Sequence, residues 1–142
     1  MMSQQLVQVA EAMGMKGKGI LAADESSGTI KKRFDGIDVE STETNRRDYR
    51  EMLFRSTDAL RDHISGIILF DETLRQSSDD GTPLVQIISQ TGAIPGIKID
   101  KGAHNLAGAP GEKVTEGLDG LRERLAEYYE LGARFTKWRA VI

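Results

Sequence analysis

Asp24, Lys98, Lys137 and Arg139 each stand at the end of a short apolar run, and together they carry whatever chemistry this sequence performs. In an extended strand alternate side chains share a face. Ile20, Ala22 and Asp24 therefore point one way, Gly96, Lys98 and Asp100 do so in a second run, and Phe135, Lys137 and Arg139 in a third. Any one of these charges fits a strand end solvated at a rim. Three runs that each deliver an ionisable group to the same kind of face fit that reading poorly, because a buried ammonium needs a partner. Asp24 is the partner available to Lys98, Lys137 and Arg139. A cationic pocket holding a carboxylate suits a phosphorylated carbonyl substrate.

The turn after the first run, Ser26-Ser27-Gly28-Thr29, is followed by Lys31-Lys32-Arg33 and offers hydroxyls, backbone amides and the start of a short helix. Such a turn holds a phosphate as readily as it makes a solvated basic loop. Two glycine-rich segments carry less. Gly17-Lys18-Gly19 leads into a strand instead of a helix, and in Gly108-Ala109-Pro110-Gly111-Glu112-Lys113 the lysine does not follow the glycine directly. The two histidines, His63 and His104, lack ligand spacing, so neither a metal nor another cofactor is expected.

The elements that position these residues read as strands alternating with helices. Residues 5–13 form an amphipathic helix ended by Gly14, and residues 1–15 stand apart as an N-terminal helical segment. Strands are expected over 19–24, 64–70, 93–100 and 134–142. Helices are expected over 29–34, from a Thr42 N-cap to about 55, from Pro83 at the first helical position to a Gly92 terminus, and from Leu118 to Gly132. Segments 71–81 and 101–117 read as irregular. They follow strand ends, which is where α/β folds place their sites. Near-continuous apolar strands with crossover helices imply an α/β fold with a parallel sheet, open or closed into a barrel. Trp138 is expected to pack against the helices.

With 142 residues, 39% of them hydrophobic, the chain has enough apolar matter for one ordinary core. Its net charge of −3 gives no electrostatic reason to expect nucleic acid or an anionic membrane as partner. It has no cysteine, which excludes disulfides and fits a reducing compartment. The N-terminus lacks the basic and apolar regions of a signal peptide, and no run approaches the ~18 apolar residues of a membrane span, so the expected location is cytoplasmic.

Gly17–Ser26, Glu43–Arg47, Gly66–Leu74, Gly96–Gly102, Gly117–Leu121 and Lys137-Trp138-Arg139, in this order and spacing, resemble class I fructose-bisphosphate aldolases from about residue 16 onward. The resemblance implies a TIM (β/α)8 barrel of which residues 16–142 supply the first four βα units, an incomplete barrel. It also implies reversible cleavage of fructose 1,6-bisphosphate to two triose phosphates, with no metal or cofactor, by a full-length homotetramer. Asp24, Lys98 and Lys137 match family positions with catalytic roles. Ser26 and Thr29 match the hydroxyl turn that helps hold one substrate phosphate, Lys32 and Arg33 match a basic pair near the other, Arg139 stands beside Lys137, and Arg46 has a weaker match as a substrate contact.

In the family the Schiff-base lysine lies on strand six and the acid-base carboxylate on strand five, both beyond Ile142. The expectation is therefore an N-terminal half from a truncated record, inactive alone, with Lys98 and Lys137 serving electrostatic and orienting roles. The competing reading is a non-catalytic half-barrel that binds phosphosugars or assembles through its open edges.

Overall fold

Four apolar runs pair side by side, in parallel and in chain order. The computed structural model describes residues 2–142. Along the chain lie α1 (Met2–Met13), β1 (Gly19–Ala23), α2 (Ser27–Asp35), α3 (Glu43–Phe54), α4 (Thr57–His63) and β2 (Ile64–Leu69). There follow α5 (Asp71–Arg75), α6 (Leu84–Gln90), β3 (Ile94–Lys98), β4 (Gly102–Asn105), β5 (Lys113–Glu116), α7 (Leu121–Glu130) and β6 (Phe135–Lys137). The main sheet has the order β1-β2-β3-β6, all parallel, and β4 and β5 form a separate antiparallel hairpin. The fold is α/β with a parallel sheet, as the alternation of runs implied.

The strand faces separate cleanly. Ile67, Leu69 and Ile97 are buried against Phe54, Leu60, Leu74, Leu84 and Ile88 from the helices. On the opposite face Ile20 is half exposed, and glycines take the place of larger side chains at Gly66 and Gly96. Those glycines are a close-approach device: the Phe135 ring lies over both, and a Cβ on Gly96 would overlap three of its carbons. Cross-strand register sets Gly96 beside Phe135 and Lys98 beside Lys137.

Several expected boundaries move. The strand expected over 134–142 is only Phe135–Lys137, and residues 138–142 have no regular structure. Its ladder ends where the Ile99 amide donates to the Lys137 carbonyl (3.1 Å), and no described strand flanks it on the other side. Trp138 is correspondingly about a third exposed instead of buried against helices. The first and third strands end at Ala23 and Lys98, so Asp24 and Asp100 sit just past their ends. The N-terminal helix starts three residues earlier than expected, and Pro83 is the N-cap of α6 instead of its first residue.

Thr42 caps α3 as expected: its Oγ1 accepts the Asn45 amide at 3.1 Å. Within 71–81 the chain makes the one-turn α5, and within 101–117 it makes the β4–β5 hairpin, both in place of irregular loops. Gly117 closes the hairpin at φ +135°, pressed against the Lys101 amide where a side chain has no room.

Candidate active site

Because β1, β2, β3 and β6 run parallel, their C-terminal ends come together, and the segments leaving them enclose a cleft of about 720 Å³. Asp24 enters it after β1, Asp71 and Glu72 after β2, Lys98 and Asp100 at the end of β3, and Lys137 and Arg139 at the end of β6. Ser26, Thr29 and Arg33 line the side formed by α2.

Lys137 Nζ donates to Asp24 Oδ2 at 2.7 Å. Lys137 ends one outermost strand of the sheet and Asp24 follows directly on the end of the other, three spacings of about 4.8 Å away along it. Side chains standing upright on a flat sheet would not meet over roughly 14 Å, so the sheet is bent, with this face concave. Lys98 does not share Asp24. Its Nζ donates instead to Asp100 Oδ1 (2.8 Å) and to the Asp100 carbonyl (2.9 Å). The single-carboxylate cluster expected from the sequence is thus two separate pairs.

The Asp100 side chain is fully buried. Burial alone would raise its pKa, but the hydrogen bond and charge of Lys98 and the Gly102 amide (3.2 Å) outweigh that and hold it below the ordinary carboxylate range. Arg139 lines the cleft and forms no ion pair among the described residues.

At the other side, the Ser26 and Thr29 hydroxyls lie 3.1 Å apart, both exposed, where α2 begins. Arg33 reaches back from α2 to pair with Glu25. Lys32, named with Arg33 from the sequence, is exposed and does not line the cleft. Arg46 does not line it either. Its Nε and Nη2 grip both oxygens of Glu72 at 2.8 and 2.7 Å, and its Nη1 donates to the Ser41 carbonyl at 2.6 Å. The Arg46 hydrogen bonds and charge keep Glu72 below the ordinary glutamate range.

Behind this wall lies Arg50, fully buried, whose Nη2 donates to the Glu25 carbonyl at 2.7 Å. Glu25, Arg50, Asp71, Glu72 and Tyr128 were not singled out by sequence reasoning. A signal existed for Arg50: Arg46, Arg50 and Phe54 recur every four residues on α3, so two cations share the buried stripe with an aromatic and demand partners.

A family model described as "Glycolytic: Fructose-bisphosphate aldolase class-I" matches residues 5–142. The chain belongs to this family. It is 63% identical over 139 residues to "Probable fructose-bisphosphate aldolase class 1" of Xanthomonas campestris, covering 98% of this chain and 41% of that relative. It is 56% identical to "Fructose-bisphosphate aldolase, cytoplasmic isozyme" of Cicer arietinum, covering 97% of this chain and 38% of the relative. A solved structure of the Plasmodium falciparum fructose-bisphosphate aldolase, in a ternary complex with TRAP and a small-molecule inhibitor, superposes with a TM-score of 0.93 at 52% identity, over 97% of this chain and 40% of that one. The chain thus spans about two fifths of the length of the aldolases it matches. No helix among the described residues is long and apolar enough to cross a membrane.

Proposed function

We propose that residues 16–142 are the first four βα units of a class I aldolase barrel, preceded by the helix within residues 1–15. The full-length protein, a cytoplasmic homotetramer, would cleave fructose 1,6-bisphosphate reversibly to dihydroxyacetone phosphate and glyceraldehyde 3-phosphate. The sequential strand order supports a barrel, since right-handed crossovers between successive neighbours put every helix on one face. The concave opposite face is the side a barrel encloses.

The observation that carries the reading is the Lys137–Asp24 pair closing across the sheet, beside Lys98–Asp100 and facing the hydroxyl turn. In this reading Ser26 and Thr29 serve one substrate phosphate and Arg33 the other, while Lys32 and Arg46, which do not line the cleft, keep only their motif match. Lys98, Lys137 and Arg139 stabilise and orient the anionic substrate, and Asp24 holds Lys137 in place. The iminium that makes an enamine leaving group forms on a lysine of strand six, with a strand-five carboxylate moving the hydroxyl proton. This chain alone then binds without turning over.

Borohydride trapping tests it. Fructose 1,6-bisphosphate should shift the chain's thermal midpoint upward, while reduction in its presence leaves the intact mass unchanged. A stoichiometric covalent adduct on Lys98 or Lys137 would overturn the assignment of roles.

A further inference from the structure

The wall beneath the hydroxyl turn carries more positive charge than its ion pairs consume. Three guanidiniums, Arg33, Arg46 and Arg50, meet two carboxylates, Glu25 and Glu72. Glu72 is gripped on both oxygens by Arg46. Glu25 is left between Arg33 on the cleft side and Arg50 on the core side. Arg33 holds its Oε1. Arg50 Nη2 stands 3.9 Å from its Oε2, beyond hydrogen-bond reach. Arg50 Nε and Nη1 have no hydrogen-bond partner, and neither has the buried Glu25 Oε2. An unsatisfied carboxylate oxygen thus faces Nη2, which donates one N–H to the Glu25 carbonyl and has a second to give, across a short gap, an arrangement that costs free energy while it stays open.

We infer that Glu25 passes from Arg33 to Arg50 when a phosphate enters the cleft, which makes Arg50 a positioning residue for the Arg33 guanidinium. The inference rests on the phosphosugar reading of the cleft. A phosphate that reaches Arg33 in the cleft competes with Glu25 for it, and an arginine fork suits either anion. Releasing Arg33 alone would strand a carboxylate that is only 10% exposed. A shift of Oε2 about 1 Å toward Arg50 lets it accept the second N–H of Nη2. No proton moves and no covalent bond changes. Arg50 is itself fully buried, so it acts on the ligand only through Glu25.

Calorimetric titration of the chain with fructose 1,6-bisphosphate tests the handover in wild type, R50K, E25Q and the double variant, each first checked for cooperative melting. Arg50→Lys keeps the charge but loses the fork, and should weaken binding roughly tenfold, the worth of one charge-assisted hydrogen bond. Glu25→Gln removes the carboxylate that must be rehoused, so it should bind more tightly than wild type. In that background Arg50→Lys should have no further effect. A purely structural Arg50 would weaken binding equally in both backgrounds, which would overturn the inference. Weaker binding by E25Q alone would also overturn it, and that arm stands even where R50K fails to fold. A wild-type chain that binds no bisphosphate refutes the phosphosugar reading itself, and the handover with it.

Discussion

Gly96→Ala probes a place where the concave face is packed side chain against backbone. The new methyl would overlap three carbons of the Phe135 ring, which lies over Gly66 as well. Relief therefore requires β6 to move, and with it Lys137, two residues along on the same face. Overpacking of this kind costs about 1–3 kcal/mol. Removing a strand glycine returns about 0.5–1 kcal/mol by restricting the unfolded chain. Taken at mid-range, the net is about 1.2 kcal/mol of destabilisation, or about 4 °C in thermal midpoint for a domain of this size. Differential scanning calorimetry of G96A, F135L and the double variant measures it. Leucine frees space over Gly96, so the double variant should be more stable than the sum of the single effects by about 0.5 kcal/mol or more. Strict additivity, or a G96A midpoint equal to wild type, would refute the packing argument.

Two further outcomes follow from the caps and carboxylates. Thr42→Ala removes the acceptor for the Asn45 amide and should cost about 1 kcal/mol, lowering the midpoint by roughly 3 °C, with the helical circular dichroism retained. Asp100 and Glu72 have folded pKa values depressed below their unfolded ones, so the stability they contribute is complete above the unfolded values of roughly 4 and drains away as pH falls through the lower folded values. Urea midpoints should be flat from pH 7 to about 5 and fall below about 4. Asp100→Asn should flatten that fall, and an unchanged acid slope would show that Lys98 does not stabilise the Asp100 carboxylate.

What could be read from the sequence was whatever depends on local order. Strand alternation put Asp24, Lys98 and Lys137 on one face because that face is a property of each strand alone. The α3 cap was legible because Thr42 and its acceptor geometry are three residues apart. The pairing of the charges was not legible. Whether Lys98 takes Asp24 or Asp100 depends on how far the sheet bends, which no single strand encodes. The α4 turn escaped because its seven residues bury only Leu60 and show no apolar stripe. The β4–β5 hairpin escaped because its strands are largely exposed and carry no periodic apolar face. Arg46 and Lys32 were chosen by motif position, which says nothing about whether a side chain turns toward the cleft or toward a neighbouring carboxylate.

The pairing also changes how the cleft meets an anion. Lys137, Lys98 and Arg33 each already hold a carboxylate, and Arg139 does not. An entering phosphate therefore meets Arg139 and Lys101, neither in an ion pair among the described residues, and three cations that it must share or win. Such pairs keep the cations fixed and partly desolvated before binding, so little rearrangement is needed when the ligand's charge replaces a carboxylate's. They also tax binding, because each displaced carboxylate must find another donor. Asp24 is 11% exposed and Asp100 not at all, so neither is readily given up to solvent. Glu25 is the one with a second cation waiting behind it, which makes the Arg33 side of the cleft the side where a phosphate displaces a carboxylate at least cost.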